Sequence, residues 1–233
     1  MYIHIVRYNN RILAQSGSAP ALGAGGRKFE SCISDQFKSE IVMANHVNTH
    51  VRFEKLNEAG VAKLNELYSR VRTGNNYEWF SDMWGLDPEI TDKYDWNCEN
   101  VGPKWCHFEE RGEDYFNTTS AWSFPQKGLE WVFEQIASVD PDFLASVHYE
   151  DEMPNFFGVY VYNKDGMIDG CEWGEEGEIE ELMKEHAPSL LELDEEEQSD
   201  VYWDIWSEHI WEMVHDKQSQ VYNDIMEYLK EQK

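Results

Sequence analysis

Four strand-like stretches, two of which alternate polar and apolar residues, constrain the fold of this chain more than any other feature. In the first stretch, Val47, Thr49, Val51 and Phe53 alternate with polar residues, and a period of two is typical of a half-buried β-strand. Three later stretches have the same strand-like character. The predicted strands span residues 47–53, 104–110, 117–124 and 143–149.

Two predicted helices separate these strands. Asn57 is a favourable N-cap residue, and the apolar residues from Val61 to Val71 recur at helical spacing. Pro125 suits the first turn of the second helix. The order β-α-β-β-α-β predicts an α+β fold, a ferredoxin-like sandwich in which two helices cover one face of an antiparallel sheet.

Two further strands should extend this sheet. Residues 156–162 and 167–173 read as strands joined by a turn at 163–166, which adds a β-hairpin. We therefore predict a ferredoxin-like domain over residues 43–173. Within it, residues 77–104 combine several Trp and Phe residues with Asp, Pro and Gly and are predicted to be an irregular aromatic insertion.

The first 42 residues differ in composition from the rest of the chain. They hold five basic and three acidic residues, and 16–26 is rich in Ser, Gly, Ala and Pro, which predicts an unstructured segment. Residues 19–32 resemble the accidental translation of a transfer-RNA gene. Our hypothesis is that translation starts at Met43; the alternative is a genuine flexible tail.

The charge of the chain is strongly negative, with 46 acidic and 19 basic residues and a net charge of −27. This balance excludes a general phosphate-binding surface, because binding a nucleic-acid backbone needs clustered Lys and Arg. It favours basic partners or imitation of a polyanion, although a merely solubilising surface is the simpler interpretation.

The acidic excess is concentrated in a C-terminal helical extension, residues 174–233. Residues 172–233 contain twenty acidic and four basic residues. Tyr202, Trp206, Ile210 and Met213 recur on one helical face. We predict that this apolar stripe is an interaction face, which meets the sheet, itself or another copy of the chain.

Cysteine usage and hydropathy favour a cytoplasmic protein. Four cysteines without a dense framework predict reduced thiols. No apolar run approaches the eighteen residues of a membrane span, and the N-terminus lacks the pattern of a signal peptide.

One Trp-rich hairpin is the candidate ligand site. Lys104, Trp105 and Trp122 offer aromatic platforms beside one cation, which suits a base or an anionic group. Trp96 and Asn100 could line the same pocket. The alternative is that these rings pack the hairpin against the helices while Lys104 extends to solvent.

The same hairpin resembles a known family. Residues 100–105 (NVGPKW) and 119–125 (TSAWSFP) look like the N-W-G-x-K-W and T-A-W-x-P-P motifs of the YubB-like ferredoxin-fold family of phage and plasmid proteins. Val101 and Phe124 depart from that pattern. The resemblance covers residues 43–173 and implies a ferredoxin-like fold, a phage or plasmid origin with the host cytoplasm as location, and no established activity.

Other polar clusters give weaker indications. His46 and His50 lie too far apart on a strand to share a metal ion, and Cys98, Cys106 and His107 lack an evident fourth ligand. The run Glu150 to Glu152 is predicted to be a solvated strand end. The sequence therefore predicts no catalytic residues, no metal and no cofactor.

Taken together, these features favour a non-enzymatic accessory protein that binds a macromolecule. The expected partner is a host protein, such as a basic nucleic-acid-binding protein, without direct binding to nucleic acid or membrane. One alternative is a small-ligand or nucleotide pocket, enzymatic or not, at the Trp/Lys hairpin. Another is a homo-oligomer formed through the C-terminal helix.

Overall fold

The computed structural model describes residues 45–72, 79–87, 93–152, 155–175, 177–186, 188 and 200–231. Within the last range, side chains are described from His209 onward. The predictions for residues 1–42 and for a start at Met43 therefore lie outside the described residues.

The described chain is an α+β structure built on one six-stranded sheet. Its spatial order is β2-β3-β1-β4-β5-β6, and every neighbouring pair is antiparallel. All six strands were predicted, with boundaries within a few residues. They are β1 (His46–Lys55), β2 (Cys106–Arg111), β3 (Tyr115–Ala121), β4 (Leu144–Asp151), β5 (Phe157–Asn163) and β6 (Gly166–Trp173).

The helices agree with the sequence prediction except in the aromatic insertion. Asn57 caps the first helix, because its Oδ1 accepts hydrogen bonds from the amides of Ala59 and Gly60. Residues 77–104 were predicted to be irregular, but they contain two short helices. The helices are α1 (Glu58–Ser69), α2 (Trp79–Trp84), α3 (Lys93–Asn100), α4 (Gln126–Ala137), α5 (Glu178–His186) and α6 (Asp200–Glu231).

The main core lies between α1, α4 and one face of the sheet, which we call the inner face. Val47 and Val51 of β1 are fully buried there against Leu64 of α1 and Leu129 of α4. The insertion contributes to the same core, since Trp79 at the start of α2 is fully buried. Burial of a large aromatic ring supplies the stabilisation that explains helix formation in a segment without helical periodicity.

The opposite face of the sheet, the outer face, is covered by α6 over β5 and β6. Ile210 and Met213 are 3% and 2% exposed and pack with Phe157 of β5. Ile210 and Met213 belong to the predicted interaction face. The chain's own sheet covers them, so they are not available to a partner. The side chains of Tyr202 and Trp206 lie outside the described residues.

The structure also tests the predicted state of the cysteines. Cys106 and Cys171 are free thiols, but Cys98 is disulfide-bonded, so the prediction of four reduced cysteines fails at that residue.

Among the described helices, none combines the length and the apolar character that crossing a membrane requires.

Candidate functional site

The predicted Trp/Lys site is centred on a strained turn after β3. Trp122 has a φ of 71°, in the left-handed region that only glycine adopts freely. Its amide donates to the main-chain oxygen of Asn45 at 2.8 Å, and its ring is 9% exposed. Strand β3 ends at Ala121, earlier than predicted, because this turn leaves the sheet geometry. The Lys104 Nζ lies 5.7 Å from the centre of the Trp122 ring, within cation–π range.

The other residues of the predicted site point elsewhere. Trp96 packs on the inner-face core and meets Trp84 edge to face at 5.6 Å, and Asn100 donates to the main-chain oxygen of Trp96. The ring of Trp105 instead contacts His46 and His107. Their register places both histidines on the outer face. The structure therefore brings Lys104 and Trp122 together but separates Trp96 from Trp105.

A second candidate site lies on the outer face, where α6 runs beside β1 and β4. We call it the outer cleft, and its volume is about 400 Å³. The clefts that bind small molecules have volumes of this order. It is lined by His50, Arg52 and Glu54 of β1, Ser146, His148 and Glu150 of β4, and His215, Gln218, Ser219 and Tyr222 of α6.

Burial shifts the pKa of two ionisable groups on the floor of the outer cleft toward their neutral forms. Burial, and then the charges of His50 and His215, lower the pKa of His148 to about 4. Burial raises the pKa of Glu150 to about 7, against a hydrogen bond from Gln218 that lowers it. At neutral pH the His148 ring thus has one donor and one acceptor nitrogen.

The wall formed by β1 holds a polar network around Glu54. Ser146 Oγ donates to Glu54 Oε1 at 3.0 Å, and Arg52 Nε lies 3.9 Å from the same oxygen. Burial, followed by the nearby Glu54 carboxylate, raises the pKa of Tyr222 to about 12. The phenol of Tyr222 therefore stays protonated and hydrogen-bonds to the Glu54 side chain.

The prediction that the Glu150 to Glu152 run is a solvated strand end is wrong for its first two residues. The helix α6 covers Glu150, and Asp151 is fully buried on the opposite face. Asn45 and Asn155 donate to the Asp151 carboxylate at 2.6 and 2.7 Å. Burial nevertheless raises the pKa of Asp151 to about 7. This carboxyl group joins β4 to the segments that precede β1 and β5 and does not face the outer cleft.

No catalytic or metal-binding arrangement emerges from these groups. Among the described His, Cys, Asp and Glu residues, no three lie close enough together to bind one metal ion. His46 and His50 project from exposed positions of β1, where they contact Glu152 and Asn117 respectively. The arrangement offers hydrogen-bonding groups for binding.

The outer cleft was not predicted from the sequence, although the polar residues that line it on β1 and β4 do alternate with apolar ones. His50, Arg52 and Glu54 alternate with the buried residues of β1, and His148 and Glu150 do so on β4. The missing information was that α6 lies beside these two rows. Neither strand alone indicates that its polar side lines a cleft.

Comparison with known proteins gives no relative: no family model, no curated protein and no solved structure matches the chain.

Proposed function

We propose that this protein is a non-enzymatic accessory module that binds a basic macromolecule through the exposed side of α5 and α6. The observation that carries the proposal is that α6 turns its apolar stripe onto β5 and leaves its carboxylates exposed. A docked helix holds these charges in a fixed array, so little ordering is needed when a partner binds.

The exposed charges on these two helices have mostly one sign. Among the described side chains of α5 and α6, seven acidic residues and two lysines, Lys184 and Lys230, are exposed. Such a surface attracts a cationic protein and repels nucleic acid. The seven acidic residues are Glu181, Glu185, Glu212, Asp216, Asp224, Glu227 and Glu231.

The proposed fold family is the YubB-like group of phage and plasmid proteins, with a ferredoxin-like core. Two observations support this. The strand order β2-β3-β1-β4, with α1 and α4 packed on one face, suits a β-α-β-β-α-β sandwich. The two motifs also flank the β2–β3 hairpin, which puts Lys104 beside Trp122. On this proposal the protein works in the cytoplasm of a host cell, on a basic nucleic-acid-binding protein.

The decisive experiment neutralises the acidic face without removing the helix, because deletion of α6 would expose Phe157. The variant carries Asp224→Asn, Glu227→Gln and Glu231→Gln. The matched control neutralises three exposed carboxylates of the β2–β3 hairpin with Glu109→Gln, Glu113→Gln and Asp114→Asn. Both variants change the net charge by the same amount.

Each protein is immobilised, and basic proteins from host lysate are captured at low and at high salt. We expect the wild type and the hairpin control to retain a basic nucleic-acid-binding protein at low salt only. The helix variant should lose it, and added DNA should compete for it. Equal capture by both variants would show that only net charge matters and would contradict the proposal.

A second candidate function is a ligand site at Lys104 and Trp122. It is favoured by the strained φ of Trp122, since backbone strain concentrates at functional sites. The test is quenching of Trp fluorescence by a panel of nucleotides. Quenching that disappears in a folded Lys104→Ala variant would support this candidate, and quenching unaffected by that change would exclude it.

A further inference from the structure

We propose that the free edge of β6 binds an extended, basic segment of the partner protein, which adds a strand to the sheet. This inference rests on the proposed function, because it names the part of the basic partner that contacts the chain beside the acidic face of α5 and α6. It depends on which strands form the edges of the sheet, on the groups that β6 turns outward and on the charges around them.

The strand β6 has a neighbour in the sheet on one side only. The spatial order β2-β3-β1-β4-β5-β6 puts it at one end, and within the described chain it pairs with β5 alone. A bulge at Ile168 interrupts that pairing, so the regular part of the strand is the run from Asp169 to Trp173. An edge strand presents unpaired main-chain donors and acceptors to a further strand.

The hydrogen bond of Gly170 shows which groups of this run point outward. Its amide donates to the side-chain carboxylate of Asp169 at 2.8 Å and is therefore turned away from β5. Because the direction of the amides alternates along an antiparallel strand, the amide of Glu172 also points outward. An added strand takes over the Gly170 amide and frees the exposed Asp169 carboxylate for a cationic side chain.

Carboxylates surround this run. Burial raises the pKa of the Cys171 thiol, and the charges of Glu178, Glu172 and Asp169 raise it further. Burial, and less strongly the charges of Glu175 and Glu178, raise the pKa of the Glu172 carboxyl group. The potential along the β6 edge is therefore negative, which attracts a strand that carries Lys or Arg and repels an acidic one.

The other edge strand, β2, is less suited to an added strand. Its residues 109–111 are all charged and exposed, and a bulge at Glu109 interrupts its pairing with β3. Exposed charges and bulges keep edge strands from pairing with other chains. On β6, by contrast, Asp169 is the one exposed residue of the strand.

The β6 edge is also continuous with the acidic face of the proposed function. The strand ends at Trp173, and α5 begins at Glu178 after a short connection. The exposed carboxylates of Glu181 and Glu185 follow on that helix. A segment that pairs with β6 can thus continue onto the acidic face.

The test uses the full chain and short synthetic peptides, because peptides allow charge to be separated from main-chain pairing. The probe is a peptide of alternating Lys and Val. One control is the same peptide with every main-chain amide N-methylated, which keeps the charge but removes the donors that a strand needs. The other is a peptide of alternating Glu and Val. Fluorescence anisotropy at low salt measures binding, and hydrogen exchange by NMR locates it.

Two variants with the same change of charge complete the design. Asp169→Lys reverses the charge on the β6 edge, and Glu109→Lys does so at an exposed position of the β2 edge. If Asp169→Lys does not fold, the comparison of the two basic peptides on the wild type decides the question.

We expect the Lys/Val peptide to bind the wild type and Glu109→Lys equally, and to bind Asp169→Lys at least about tenfold more weakly. The N-methylated peptide should bind the wild type weaker by a similar factor, and the Glu/Val peptide should not bind. Bound Lys/Val peptide should slow hydrogen exchange of the Gly170 and Glu172 amides.

Four results would overturn the proposal. These are equal binding of the two basic peptides, no binding of either, protection of β2 instead of β6, and a wild-type dimer whose Glu172 amide is already protected by a second copy. Failure of the proposed function appears elsewhere, in the capture experiment with the α6 variant. The two failures are therefore distinguishable.

Discussion

The side chain of Gln218 donates a hydrogen bond of 3.0 Å to the main-chain oxygen of Tyr149, in the buried layer between α6 and the sheet. The same nitrogen lies 3.1 Å from the main-chain oxygen of Gly158 on the neighbouring strand. Apolar contacts alone would let α6 slide along β5, because they have no direction. The two hydrogen bonds fix the position of the helix and therefore the shape of the outer cleft.

We predict that Gln218→Met destabilises the protein although it preserves most of the side-chain volume. Two main-chain oxygens would lose their buried donor, which costs about 1–3 kcal/mol. Urea unfolding measures this change, and hydrogen exchange should show earlier opening of α6 than of β1. Gln220→Met, at an exposed position of the same helix, should alter stability by less than about 0.5 kcal/mol. Equal effects of the two substitutions would show that the hydrogen bonds of Gln218 do not hold the helix.

Glu150 should make the protein less stable as the pH rises. Its pKa is raised from 4.5 to about 7 in the folded state, so the folded chain binds this proton more tightly than the unfolded chain does. The contribution to stability is complete below pH 4.5 and is lost as the pH rises through 7. His148 acts in the opposite direction: its pKa is lowered from 6.5 to about 4, so its contribution is lost as the pH falls between these values.

Glu150→Gln should therefore stabilise the protein more at about pH 8 than at about pH 5, by at most a few kcal/mol. The measurement is urea unfolding at both pH values. Glu134→Gln is the matched control, because this carboxylate is exposed on α4 and lies outside the outer cleft. A pH-independent effect of Glu150→Gln would mean that burial does not raise the pKa of this carboxyl group.

Lys104 and Trp122 should differ sharply in their effect on stability. Trp122→Ala removes a ring that is 9% exposed and should cost about 3–5 kcal/mol, the range for buried aromatic residues. Lys104→Ala removes a cation–π contact and should cost about 1 kcal/mol or less. Thermal unfolding measures both. A cost of several kcal/mol for Lys104→Ala would show a structural role and would disqualify this variant as a probe of ligand binding.

The strands and most helices could be predicted because local patterns encode them. The period of two in β1 and the Asn57 cap are properties of a few adjacent residues, and the structure confirms both. The helices of the insertion were missed because the burial of Trp79 depends on distant β2 and β3. Likewise, nothing near Glu150 in the sequence indicates that residue 218 lies above it. Lys104 and Trp122 were paired correctly, since a short hairpin joins them.

Truncation of the stripe on α6 should change stability and leave the oligomeric state unchanged. Ile210 is 3% exposed and packs with Phe157 of β5, so Ile210→Ala should cost about 2–5 kcal/mol. Tyr228, on the same helix, is 55% exposed, and Tyr228→Ala should cost less than about 0.5 kcal/mol. Light scattering coupled to size exclusion measures the mass of each variant, and urea unfolding its stability. If Ile210→Ala dissociated an oligomer while the monomer kept its stability, the stripe would be an interface between chains and the intramolecular packing described above would be wrong.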